Sequence, residues 1–381
     1  MLRVLVFGAT YNPGGVERFL INYISRIASD EIRFDFVNRY KKDLAFNEVI
    51  KNLNCGVINL NLPSRKKNIF KYNQKLDSFF KDNASRYDCV WFNMIDLINI
   101  DPIIKAHKYH FKHIIVHAHN SQLMESLYSL SGLRHNLQHN INKNLINKYA
   151  TDFWACSSDA AEWFFKGNAL RKSIVIKNAI DFNKFRFNDQ KRERLRKKLN
   201  IKDDEFVIGN VGRLQYQKNQ EFIIDIFEKY LGINPKAKLI FVGQGEDYAL
   251  LKEKVKKMRL DTRVIFAGMQ NNIDEWLDVF DFFIFPSHFE GLGIAILEAQ
   301  ANGLPVLASA SVIPEEVKIN SNFKFLSLNL SDNIWTQEIH NLNENRIRYK
   351  EICNNFMRAG YDINEASNKL KNIFNEWSYK I

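Results

Sequence analysis

The sequence predicts an α/β protein made of two doubly wound, parallel-sheet domains. Three observations carry that expectation. Strand-like and helix-like segments alternate along all 381 residues, the pattern of parallel sheets covered on both faces. The alternation restarts after about residue 180, and the chain exceeds the usual single-domain range. Glycine-bearing turns follow several strands, where open parallel sheets bind their ligands.

In the first half, short apolar runs predict strands at Val4–Phe7, Phe34–Val37, Val57–Leu60, Cys89–Phe92, Ile114–His117, Phe153–Cys156 and Ile174–Ile176. Helical patterns such as Val16–Ala28, Lys71–Asn83 and Ser158–Phe165 lie between them. The second half repeats the scheme with strands at Phe206–Val211, Leu239–Val242, Val264–Phe266, Phe282–Phe285 and Val306–Ala308. Its helices are expected at Gln220–Leu231, Tyr248–Met258, Ile273–Val279 and Ile294–Asn302. The polar stretch Asn178–Gln190 reads as the linker, and beyond residue 330 only helical and polar patterns remain, closing with Asn364–Lys380.

Composition excludes several classes. A hydrophobic content of 46% suits sizeable cores, and no run is long enough to span a bilayer. The opening apolar run, Leu2 to Gly8, is too short for a signal segment and reads as the first strand. Cys55, Cys89, Cys156 and Cys353 are scattered without a C-x-x-C pair, so they read as reduced thiols of a soluble, cytoplasmic protein. The formal net charge of +11 asks for a nucleic acid, an anionic membrane or a phosphorylated substrate. No nucleic-acid recognition module is present, so that partner is not expected. Arg65-Lys66-Lys67 with Lys71, Lys75, Phe70, Tyr72, Phe79 and Phe80 is the candidate for a peripheral membrane patch, beside the plainer reading of a surface helix. The runs Lys191–Lys198 and Lys252–Arg259 are also basic, the latter expected as a solvated face.

The strand ends carry the chemistry. Gly212-Arg213 and Lys218 follow the first strand of the second half. Arginine offers a planar fork to phosphate oxygens and lysine a point charge, so before a helix start the two suit a diphosphate. A surface cation pair is the plainer alternative. Phe241-Val-Gly243-Gln-Gly245-Glu246 is a further strand-to-glycine turn. Strand Phe282–Phe285 leads into Glu290-Gly291-Leu292-Gly293-Ile294, then a helix carrying Glu298. First-turn amides lack intrahelical partners and attract anions, whereas two carboxylates would sooner accept from hydroxyls. Phosphate plus hydroxyls indicates a sugar nucleotide. In the first half, Gly14-Gly15 and Glu17 follow the first strand without a dinucleotide or Walker signature. His117 and His119 share a strand face, and a third zinc ligand is not identifiable. His107, His110 and His113 lie in a polar, helix-like region and are expected at the surface.

Together these residues resemble the GT-B-fold retaining glycosyltransferases of family four, in the branch used for bacterial capsular and exopolysaccharide assembly. The carriers are Gly212-Arg213-Leu, Gln217-Lys218-Asn219, Phe241–Gly245, Glu290 and Glu298 in E-x7-E spacing, and Gly303-Leu-Pro305-Val. The resemblance implies two Rossmann-like domains facing across a cleft: 1–180 for the acceptor, 181–363 for the sugar nucleotide, and a helix in 364–381 returning to the first. It implies that Arg213 and Lys218 hold the donor diphosphate, that Glu290 meets the sugar hydroxyls, and that Glu298 meets the ribose. Gly15, Gly212, Gly243, Gly291, Leu292, Gly293 and Ile294 would border the donor. Gly14, Gly15 and Glu17 would lie on the acceptor side, and His119 near the donor sugar. The expected activity is metal-independent transfer, without cofactor, from a UDP-sugar to a lipid-linked or saccharide acceptor at the inner face of the plasma membrane. A non-hydrolysing epimerase, which needs no acceptor, and a catalytically silent binding module are the competing readings. One departure is Asn178-Ala179-Ile180-Asp181, where the family often has glycine second.

Overall fold

The computed structural model describes residues 1–123, 129–342 and 346–378. The chain divides into two compact units, one formed by Met1–Ala179 with Ile363–Ile381, the other by Ile180–Asp362.

The first unit holds a sheet of seven parallel strands: β1 (Leu2–Phe7), β2 (Ile32–Asn38), β3 (Gly56–Asn59), β4 (Cys89–Met94), β5 (His113–Ala118), β6 (Asp152–Ala155) and β7 (Ile174–Val175). Their order is β3-β2-β1-β4-β5-β6-β7. β1 and β4 are central and apolar on both faces, as expected where helices cover both sides. Trp91, Phe34 and Trp154 gather with Phe374 from the terminal helix Ile363–Ser378, ring centroids 5.7–5.9 Å apart. That helix is therefore part of the first unit's core, through Ile363, Leu370 and Phe374.

The second unit repeats the plan with β8 (Val207–Val211), β9 (Lys238–Val242), β10 (Val264–Phe266), β11 (Phe282–Phe285), β12 (Val306–Ser309) and β13 (Phe323–Leu326). All pairs are parallel, in the order β10-β9-β8-β11-β12-β13. Each sheet reverses its direction of growth once, between β1 and β4 and between β8 and β11. Ligand crevices of doubly wound sheets open at that point.

Several expectations are corrected. β13 was not expected: Phe-Lys-Phe-Leu is short and sits among asparagines and serines, so pairing with β12 decides it. Most of the expected linker is built into the second unit, where Phe182 and Phe185 of a 3-10 turn are buried. His113 begins β5, half-buried, 3.3 Å from Asp152 and stacked on Trp377 at 3.8 Å, rather than lying on a surface helix. Of the aromatics in the supposed membrane patch, Tyr72, Phe79 and Phe80 are core; Phe70 alone is well exposed. In the run Lys191–Lys198, Lys191, Arg192 and Arg196 have acidic partners within the fold, while Arg194, Lys197 and Lys198 are exposed. Lys191 meets Asp274 at 2.6 Å, Arg192 meets Asp281 at 2.6 Å, and buried Arg196 meets Asp281 at 3.3 Å. Much of the positive charge thus has partners inside the fold. No described helix is long and apolar enough to cross a membrane.

Candidate active site

In the second unit, the turns after β8, β9 and β11 meet at the reversal point. Gly243 makes this possible. Its φ is +145°, and a Cβ there would lie 1.9 Å from the Gly212 carbonyl oxygen, so only glycine lets the ends of β8 and β9 touch. The contact is sealed by the Gly212 amide donating to the Val242 carbonyl at 3.0 Å.

After β8 the chain forms a 3-10 turn, Tyr216–Lys218, and Asn219 in left-handed geometry (φ +55°) starts the helix Gln220–Tyr230. Three hydrogen bonds staple this loop to the one after β11. The Asn219 side-chain amide donates to the Pro286 carbonyl at 3.1 Å and that of Gln217 to Phe289 at 3.0 Å. The His288 amide donates to the Gln217 carbonyl at 2.8 Å. The staple delivers Lys218 Nζ to 2.6 Å from Glu290 Oε1, with side chains 14% and 7% exposed. Nζ also lies 4.5 Å from the centre of the Phe285 ring. A buried ion pair is costly to desolvate and costly to break, so each partner holds the other in place.

Arg213 stands apart from this pair. Its guanidinium meets Glu246 Oε2 at 3.1 Å, with both side chains half-exposed. The two cations expected to act as one clamp are therefore each matched with an acid of its own. Beyond Glu290, Gly291 and Leu292 lead to Gly293, whose φ of +84° turns the chain into the helix Ile294–Ala301. Glu298 is buried in the second turn of that helix. Gly212, Arg213, Lys218, Gly243, Glu290–Ile294 and Glu298 thus share one end of one sheet.

The remaining expected residues belong to the first unit, at the corresponding ends of β1 and β5. Gly14 caps the helix Gly15–Ile27 in extended conformation, and Gly15 has open space around its Cα. Glu17 is buried, and its Oε1 accepts from both the amide and the hydroxyl of Thr10, each at 2.9 Å. Burial pushes its carboxyl pKa up. That carboxylate organises its own loop. His119 Nε2 lies 2.9 Å from Asn93 Oδ1, which makes Nε2 the protonated nitrogen. Its Nδ1 is buried without a hydrogen-bond partner among the described residues. Burial lowers its pKa to about 3, so the ring is neutral in ordinary buffers. His117 lies alongside, ring centroids 4.1 Å apart, and is likewise held neutral by burial.

Sequence reasoning assigned no role to Asn93, Thr10, Glu246 or Gln217. Asn93 had a visible signal, an amide closing an apolar strand; for the others only the partner makes the role apparent.

Residues 191–360 match the family model described as glycosyl transferases group 1. The Bacillus subtilis protein EpsF, named as a glycosyltransferase, is 25% identical over 380 residues, covering 98% of this chain and 96% of that one. Over residues 191–360 the chain is similar to the group 1 glycosyltransferases. A relative from Escherichia coli, UDP-Gal:alpha-D-GlcNAc-diphosphoundecaprenol alpha-1,3-galactosyltransferase, is 29% identical over 209 residues, 53% of this chain and 54% of its own. Among solved structures, Anabaena HepE with UDP and glucose gives a TM-score of 0.78 at 20% identity, covering 98% of this chain and 100% of HepE. The fold is thus that of GT-B glycosyltransferases, two parallel-sheet Rossmann-like halves.

Proposed function

We propose that this glycosyltransferase moves a sugar from a UDP-sugar to a lipid-linked saccharide acceptor during surface polysaccharide assembly, with retention of anomeric configuration and without a metal. The observation that carries the reading is the buried Lys218–Glu290 pair at the reversal point of the second sheet, beside the start of the helix Ile294–Ala301.

Bond cleavage at the anomeric carbon leaves negative charge on the departing diphosphate. Lysine has three donors and Glu290 uses one, so Lys218 has capacity for a phosphate oxygen while staying anchored. Arg213, half-exposed and matched only across a solvent-facing pair, exchanges Glu246 for phosphate at small cost. The first-turn amides after Gly293 add fixed positive dipole. Such preorganised charge does its work where the negative charge develops. Glu290 is acceptor-only and suits sugar hydroxyls; Glu298 suits the ribose. His119 serves as a neutral hydrogen-bonding group rather than as a cation. UDP as the carrier is supported by two similar proteins, one described with UDP-Gal and one solved with UDP-glucose. The lipid-linked acceptor is supported by the diphosphoundecaprenol acceptor of the E. coli relative.

The test is a thermal-shift and hydrolysis panel of UDP-, GDP- and TDP-sugars, with and without EDTA. Stabilisation and slow hydrolysis with UDP-sugars, unaffected by EDTA, is the expected result. A chain that no nucleotide sugar stabilises or loses sugar to would refute the proposal, and activity abolished by EDTA would refute its metal-free part. The product's anomeric configuration, read by NMR, tests retention.

A further inference from the structure

The helix Leu130–Tyr149 in the first unit is amphipathic in the wrong sense. Its inward face carries Gly132, His139, Asn142 and Ile146. The polar pair is satisfied there: His139 Nδ1 accepts from the Leu97 amide at 3.1 Å, and Asn142 donates to the Leu97 carbonyl at 2.6 Å. Its outward face carries Leu130, Leu133, Leu137, Ile141 and Leu145, exposed by 88%, 55%, 64%, 47% and 40%. At 100° per residue these five fall within roughly a third of the helix circumference. Exposed leucines are ordinary singly; five in register on one helix form a contiguous patch that calls for a cover.

Charge identifies the cover. The helix contains no aspartate or glutamate, and Arg134 and Lys148 flank the leucines on the exposed face. Beside the stripe lies an open depression of about 590 Å³ with Asn140, Lys143, Asn144, Phe165 and Lys166 in its lining. Lys143 donates to the Glu162 carbonyl at 2.6 Å, and burial together with the Lys166 charge lowers its pKa. With Lys143 and Lys166 in its lining against the single carboxylate of Glu162, the depression is net positive and favours an anion. A second copy of the chain fits poorly, because a twofold contact would bring this acid-free face against itself.

We propose that the outward face of Leu130–Tyr149 lies in the interface of an anionic lipid bilayer, with the Lys143–Lys166 depression receiving a phospholipid headgroup. A helix with apolar residues at the surface, flanking cations and no acids is the physical form of an interfacial element. Because this helix follows β5, its Leu130 end lies toward the sheet edge that carries His119, which would bring a lipid-linked acceptor to the working edge of the unit. The purpose, though not the docking, rests on the acceptor proposed above. The face replaces the 65–75 cluster, whose aromatics are mostly core.

The experiment is co-sedimentation of the full chain with phosphatidylcholine vesicles, with and without phosphatidylglycerol, alongside UDP-sugar hydrolysis in free solution. Binding is expected only with phosphatidylglycerol, weakening as salt rises. Leu137→Asn with Ile141→Asn should reduce it by about tenfold or more, since two buried aliphatic side chains are lost. Lys166→Glu should reduce it severalfold. Both variants should keep the parent's melting temperature and hydrolysis rate, because the altered residues are exposed side chains of the first unit, whereas the Lys218–Glu290 pair belongs to the second. Equal binding to both vesicles, or unchanged binding by the leucine variant, would overturn the proposal. So would a concentration-dependent dimer that the leucine variant abolishes. Specific vesicle binding by a chain inert toward every nucleotide sugar would sink the transferase reading and leave the docking face standing.

Discussion

Replacing Lys218 with alanine separates charge stabilisation from architecture. Glu290 would stay in a site where its side chain is 7% exposed, but without its ion-pair partner 2.6 Å away. Breaking a buried pair from one side typically costs about 3–5 kcal/mol. In a unit of this size each kcal/mol moves the melting temperature by about 2–4 °C, so a fall on the order of 10 °C is expected. Turnover should fall by about 10²-fold or more, the usual effect of deleting a preorganised charge at a site of developing negative charge. The two effects part company in the double variant Lys218→Ala/Glu290→Gln. Removing the buried charge that has lost its lysine should restore much of the lost thermal stability, while turnover stays at or below that of the single variant. Calorimetry and a donor-transfer assay on the four proteins of the cycle read both quantities. Recovery of turnover together with melting temperature would mean that Lys218 only props up Glu290. Unchanged turnover in the single variant would remove it from the mechanism altogether.

Arg213→Ala should leave stability within about 0.5 kcal/mol, because its pair with Glu246 is half-exposed, yet weaken use of the donor by at least tenfold; a normal rate at low donor concentration refutes its phosphate role. His119 gives a pH prediction: burial depresses its folded pKa to about 3 from an ordinary value near 6.5, so the unfolded state binds the extra proton between those values. Its contribution is fully present above about 6.5 and falls by up to about 1.4 kcal/mol per pH unit as the pH drops toward 3. Urea unfolding at several pH values should show a shallower acid slope in His119→Gln, and an identical slope counts against the assignment. Phe374→Ala should cost about 3–5 kcal/mol, since the ring packs on Phe34, Trp91 and Trp154. Chemical denaturation measures it; a loss below about 1 kcal/mol would mean the terminal helix is not integral to the first unit.

Legibility differed by the range of the interaction. Strand runs such as Phe282–Phe285 and helix Ile273–Val279 could be read to the residue, because an apolar run between turn residues is local information. Glu290 and Glu298 were legible through their spacing, although their burial was not. β13 and the helix Leu130–Tyr149 were not singled out. The first needs its neighbour β12, and the second turns its leucines away from the core that a periodic pattern normally implies.

By itself, the sequence determined two α/β halves, the glycine turns at their strand ends, and the cations and acids available there. These follow from backbone freedom, side-chain periodicity and charge. Tertiary structure alone decided the pairing. Lys218 and Arg213 are five positions apart in the chain, yet one is locked to Glu290 and the other to Glu246, because the loops after β8, β9 and β11 converge. It also decided which basic runs are spent within the fold and which apolar helix face is left open, since burial depends on what packs against a residue and not on the residue alone.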